Sequence, residues 1–220
     1  VMELERVMQT LRAEADPEAA RAQQHRFGIP ADGVLGLPMR RMLEIGKQLA
    51  PSHDLAQALW GSGVYEARTV AALVDEPEKV AVEQMQAWAA DFDSWAIVDT
   101  VCFRLFDRVG PRWDVVGDWC VAEPLFVKRA GYALLWALAL HDRTAPDASF
   151  ARLLPVLGEQ IDERKLVAQA QTMALRAVVK QRPALRDAVA DLVQTLHERG
   201  GAARRVAAPI LKELRGAAPG

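Results

Sequence analysis

The sequence predicts an all-α fold, a curved solenoid of stacked helix pairs (an α-α superhelix), from three observations. Turn and capping residues recur at short intervals, the segments between them carry apolar residues at spacings of three and four, and similar helical segments return along the chain. No stretch shows the alternation of a strand.

Asp16-Pro17 closes one helix and opens the next, with proline at a first helical position, where its missing N–H costs nothing. Gly28 to Gly33 is a loop, and Pro38 opens a helix over Met39 to Leu49. Ser52, Asp75 to Pro77, Asp93-Ser94, Gly110-Pro111, Glu123-Pro124, Ala145 to Asp147, Arg182-Pro183 and Gly200-Gly201 punctuate the remainder. Leu185, Val189, Leu192 and Leu196 show the apolar stripe of a helix between two such breaks.

Three segments repeat one pattern: Val64 to Leu73, Phe126 to Leu135 and Leu166 to Leu175. Each enters with bulky residues, continues with polar or basic ones, and then turns to small residues and leucine. Further helices from near Trp95 and Ala203 complete a series with roughly 30- to 40-residue spacing, the scale of helical solenoids. The chain reads as one such domain, residues 1–220. A concave surface lined by the second helix of each pair is expected to gather Trp95, Asp99 and Arg129.

Composition sets the class. Half of the 220 residues are hydrophobic, which excludes wholesale disorder. The longest apolar run, Ala133 to Leu140, falls far short of the roughly 20 residues that a membrane span needs. Cys102 and Cys120 lie in apolar settings without a C-x-x-C, so reduced core thiols and a cytoplasmic protein are expected. Net charge is −2, but residues 1–100 carry 9 basic and 16 acidic groups, whereas residues 161–220 carry 11 and 6. This asymmetry is compatible with a polyanion held at the basic end, and equally with a solvated basic face.

Common catalytic signatures are absent. There is no H-E-x-x-H, no Walker loop, no dinucleotide fingerprint and no G-x-S-x-G, and the four histidines are scattered. No metal site or cofactor is expected. The chemistry-bearing feature is Asp93-Ser94-Trp95-Ala96-Ile97-Val98-Asp99, in which Trp95 and Asp99 leave one helix face a turn apart. An uncompensated carboxylate on an apolar helix costs roughly 1–3 kcal/mol or more, so Asp99 needs a partner, water or a function.

That segment, continued through Thr100-Val101-Cys102, together with Arg112-Trp113, Asp118-Trp119 and Phe126-Val127-Lys128-Arg129-Ala130, closely resembles the AlkD-like DNA alkylation repair glycosylases, which are built of HEAT-like repeats. The likeness extends from about Phe27 to Leu214. It implies a protein that cradles duplex DNA, associated with the nucleoid when bound; a monomer is the default expectation for a closed helical stack. It also implies excision of positively charged N3- or N7-alkylated purines without base flipping. By this resemblance Trp95 packs on the lesion's deoxyribose, while Asp99 orients water and stabilises charge developing on the sugar. Arg129, with Lys128, holds phosphate. Phe27 is the candidate for an aromatic group supplied by the first helices. Met173 stands where a second cleft tryptophan is expected, Gln169 replaces a basic residue, and Arg176, Lys180, Arg182, Arg204 and Arg205 are candidate phosphate contacts. Three structural readings stay open: Trp95 as core filling, Asp99 paired with Arg104 or Arg129, and Lys128-Arg129 as a solvated face. The alternative function is a non-catalytic HEAT-like module binding unusual DNA structures or a protein partner.

Overall fold

A computed structural model describes residues 2–216, and among them every regular element is helical. Packing divides the chain into two compact units, residues 1–111 and 112–220.

The first unit contains α1 (Met2–Ala13), α2 (Pro17–Phe27), α3 (Met39–Gln48), α4 (His53–Trp60), α5 (Tyr65–Val74), α6 (Val82–Ala90) and α7 (Trp95–Arg104). Local sequence explains the boundaries. The Asp16 carboxylate accepts the backbone N–H groups of Glu18 and Ala19 at 2.9 and 3.0 Å, Pro17 follows at the first helical position, and left-handed Gly28 ends α2. Ser52 and Ser94 cap α4 and α7 in the same way.

Helix α5 is the centre of this unit, packing against α1, α3, α4 and α7, with Ala67, Ala71 and Ala72 fully buried. Such small residues let neighbouring backbones approach. Beside it Trp60 and Trp88 stack in parallel at 4.0 Å, edged by Phe92. One carboxylate is sealed into this core: Glu66, fully buried, accepts the backbone N–H groups of Leu35, Gly36 and Leu37 at 3.0, 2.7 and 3.3 Å. Those bonds offset its desolvation and fix the 34–37 segment. Gly36 is obligatory there, because its φ is +96° and a Cβ would lie 2.2 Å from the Asp16 carbonyl oxygen.

The second unit contains α8 (Arg112–Val121), α9 (Leu125–His141), α10 (Asp147–Ala151), α11 (Leu154–Glu159), α12 (Lys165–Gln181), α13 (Arg186–Arg199) and α14 (Gly201–Gly216). Helices α5, α9 and α12 coincide with the three repeated sequence segments, and α9 is the buried centre here, packed between α8 and α12. Gly131 permits the α8–α9 approach, since a Cβ would meet Cys120 N at 2.5 Å and the Trp119 carbonyl carbon at 2.8 Å. Gly131→Ala is therefore expected to destabilise the protein by about 2 kcal/mol or more through overpacking of backbone on backbone. The corresponding fall in Tm is roughly 4–8 °C in a thermal melt; an unchanged Tm would show that the two helices separate without cost.

Both cysteines are buried and outside any disulfide, as the sequence suggested, and burial pushes the Cys120 thiol up to about 12. Gly200 and Gly201, with φ of +78° and +54°, turn the chain from α13 into α14. Pro209 sits within α14, where one backbone hydrogen bond is given up.

Candidate functional site

Helix α7 is anchored before it begins. The Arg68 guanidinium, over the Trp60 ring at 4.9 Å, donates to the Asp91 carbonyl and the Asp93 carboxylate, each at 3.2 Å, and Ser94 then caps the first turn. Along α7 the residues Ala96, Ile97, Val98, Thr100, Val101 and Cys102 are buried. Trp95, Asp99 and Phe103 are half-buried and recur every four residues, one stripe on one face. The predicted placement of Trp95 and Asp99 on a shared face is thus observed.

Trp95 and Asp99 of that stripe form part of the wall of a pocket of about 490 Å³ within the first unit. Phe27, at the end of α2, meets Trp95 edge-to-face, with ring centroids 5.4 Å apart and planes at 79°. Arg26 reaches over the other ring partner, 5.3 Å from the Phe27 centroid. Tyr65, Met39 and Met42 supply further wall, and burial pushes the Tyr65 phenol up, so it stays protonated at neutral pH. Gln23 also faces the pocket; its amide nitrogen donates to the Leu37 carbonyl at 3.0 Å, while its buried Oε1 has no hydrogen-bond partner among the described residues.

Sequence reading named Phe27, Trp95 and Asp99 but missed Gln23, Met39, Met42 and Tyr65. Tyr65 carried a signal, as a bulky residue at the opening of a repeated segment. The others sit on helices α2 and α3, whose mutual placement depends on Gly36 and Glu66 and has no local sequence signature.

In the second unit the basic candidates separate into different environments. Arg129 is 5 % exposed and donates from Nη1 to the Leu166 carbonyl at 2.5 Å, a contact that orients its guanidinium. Lys128, expected beside Arg129 at phosphate, is buried like it, so the pair is not a solvated face. It is 7 % exposed, and its ammonium lies 3.4 Å from the carboxylate of Asp162, itself buried. Asp162 also accepts two side-chain bonds from Arg164, at 2.8 and 2.6 Å, and these hydrogen bonds, against its desolvation, hold it well below the usual carboxylate range. Lys128 is committed to a buried charge pair, whose separation is costly.

On α12, Lys165, Gln169, Met173, Arg176 and Lys180 form one outward stripe. Met173 is half-buried, with its sulfur 3.6 Å from Arg176 Nη1. Arg176 is engaged by both carboxylate oxygens of Glu213 on α14, one of them through Nε at 3.1 Å. Lys180 is exposed. Arg182 is turned inward to the Ala145 carbonyl at 2.8 Å and to the Asp142 carbonyl, which ties it to the fold, and Arg205 pairs with exposed Glu163. No cluster of potential metal ligands occurs among the described residues.

Comparison with known proteins accords with this arrangement. A family model described as DNA alkylation repair enzyme matches residues 7–207. Among solved structures the chain is similar to one described as a new family of proteins related to the HEAT-like repeat DNA glycosylases with affinity for branched DNA structures. The TM-score is 0.76 at 19 % identity, covering 87 % of this chain and 82 % of that one. That likeness establishes the fold as the HEAT-like repeat fold of those glycosylases. No curated protein matches.

Proposed function

Because this chain belongs to the DNA alkylation repair enzyme family, we propose that it excises N3- and N7-alkylated purines from duplex DNA, with Asp99 as the catalytic carboxylate. The observation that carries this reading is the half-buried stripe of α7, on which Asp99 lies one turn beyond Trp95 against an aromatic pocket.

Alkylation at N3 or N7 leaves a purine positively charged, so the C1′–N9 bond breaks with its electron pair returning to N9. Positive charge then develops on the sugar. A fixed carboxylate in a partly water-excluded setting stabilises that charge and orients the water that adds to C1′. Trp95 offers its face to the deoxyribose while the base remains in the duplex, so no flipping is required. Arg129, oriented by the Leu166 carbonyl, is suited to a backbone phosphate. The second unit carries 16 basic and 12 acidic residues against 11 and 17 in the first, which supports it as the main source of phosphate contacts.

Incubation with duplex DNA containing 7-methylguanine tests the proposal. Release of the free base, leaving an abasic site, is the expected result; no release at enzyme in large excess over DNA sinks it. A second reading, a non-catalytic binder of branched DNA, is supported by Met173 and Gln169 in place of a tryptophan and a cation, and by the affinity named for the structural relative. In that case junction DNA binds without base release.

Either reading makes Glu213 a competitor of phosphate for Arg176. Glu213→Gln is expected to tighten duplex binding and to steepen the slope of log K against log salt by up to about one, as one further cation becomes available to phosphate. Fluorescence anisotropy across a salt series measures both. An unchanged slope would show that Arg176 does not meet DNA.

A further inference from the structure

DNA laid with a sugar on Trp95 also brings phosphates to the first unit, which carries more acidic than basic residues and so repels them. Several cations of that unit are already paired with its own carboxylates: Arg6, Arg40, Arg41, Arg68 and Lys79. Arg26 is not. It is exposed near the end of α2, and among the described residues no carboxylate or other hydrogen-bond acceptor engages its guanidinium. That group lies over the Phe27 ring, 5.3 Å from the centroid, and the same ring meets Trp95 edge-to-face. Among the described residues that line the pocket, Arg26 is the one cation and Asp99 the one anion.

We propose that Arg26 binds the phosphate adjoining the sugar that packs on Trp95, an assignment resting on the role given to Trp95 above. A guanidinium presents a planar fork of N–H donors that matches two oxygens of one phosphate. Contact with the Phe27 ring restrains the arginine before DNA arrives, so less side-chain freedom is lost on binding than for a fully solvated arginine. Position adds a second consequence. The Asp99 carboxylate repels the DNA backbone, and a cation at the mouth of the same pocket offsets that repulsion where it is strongest. Phosphate contacts carry no base information and fix register, so Arg26 aligns the sugar over Trp95 whatever base that sugar bears.

The test measures binding, so it does not depend on base release. The probe is a duplex with one 7-methylguanine on a 2′-fluorinated sugar, whose electron-withdrawing fluorine keeps the base attached. Fluorescence anisotropy across a salt series is expected to show Arg26→Gln binding about tenfold more weakly at about 0.1 M salt, with the slope of log K against log salt reduced by about one. Arg26→Lys retains the charge and is expected to retain the slope. Arg21, exposed on the same helix but outside the pocket lining, is the control, and Arg21→Gln is expected to leave the slope unchanged. The phosphates on either side of the lesion are then replaced, one at a time, by an uncharged methylphosphonate. At one of them the wild type is expected to lose about tenfold in affinity and Arg26→Gln almost nothing, the coupling of groups in contact. An unchanged slope for Arg26→Gln, or no duplex binding by the wild type, overturns the contact. Equal losses for Arg21→Gln and Arg26→Gln reduce it to net charge and overturn it as well, and additive losses at both phosphates overturn its placement beside the Trp95 sugar. Coupling in a protein that releases no base from the unfluorinated duplex keeps Arg26 at the phosphate while overturning the glycosylase reading.

Discussion

Asp99→Asn is expected to lower the single-turnover rate of 7-methylguanine release by at least 10²-fold, while leaving duplex affinity equal to or above that of the wild type. The substitution keeps shape and removes charge. If the carboxylate acts on a cation that exists only as the glycosidic bond breaks, its loss appears in the chemical step, and removal of one fixed stabilising group is worth roughly 10²–10³ in rate. Affinity moves the other way, because a negative charge near polyanionic DNA opposes binding. A purely structural Asp99 gives the reverse signature: a lower Tm and weaker binding, with the rate for bound DNA retained. Rates at saturating protein separate the two outcomes, since they report the bound complex alone. A decline under threefold would remove Asp99 from the mechanism.

Much of the architecture was legible in local chemistry. Asp16-Pro17, Ser52 and Ser94 mark helix starts because capping is settled within a few residues, and the three repeated segments became α5, α9 and α12 because each carries apolar residues at helical spacing, over most of its surface in α9 and on one side only in α12. The Trp95–Asp99 stripe was readable for the same reason: it is a spacing rule on a single helix. What escaped depends on groups distant in sequence. Lys128-Arg129 looks like a basic surface pair, yet Asp162 draws Lys128 inward, and nothing near Lys128 announces that partner. Arg176 reads as a free cation until α14 brings Glu213 to it. Glu66 is a further case: it stands among the polar residues of a repeated segment, and its role, accepting the backbone N–H groups around Gly36, depends on residues distant in sequence.

The largest expected effect on stability comes from Asp142, at the end of α9. It is 7 % exposed and accepts from Arg112 Nε at 2.9 Å, Trp113 Nε1 at 3.2 Å, Thr144 Oγ1 at 2.8 Å and Ala145 N at 3.0 Å. Burial alone would raise its pKa, but the hydrogen bonds from Arg112, Thr144 and Trp113 together outweigh it and hold the carboxyl at about 2, against an ordinary 3.8. A depressed carboxylate pKa contributes stability that is present above the unfolded value and disappears as pH falls through the folded one. The contribution, about 2 kcal/mol, is therefore complete above roughly pH 5 and lost between there and pH 2. Asp142→Asn removes more than this at neutral pH, about 3–5 kcal/mol, because Arg112 is left without its carboxylate and an amide N–H₂ replaces one acceptor. Urea denaturation at pH 7 measures that loss. Repeated down to pH 2, it is expected to show the wild type converging on the variant as Asp142 takes up its proton; a difference that stays constant with pH would mean that the carboxylate charge contributes nothing, and that only its shape holds α8 to the turn after α9.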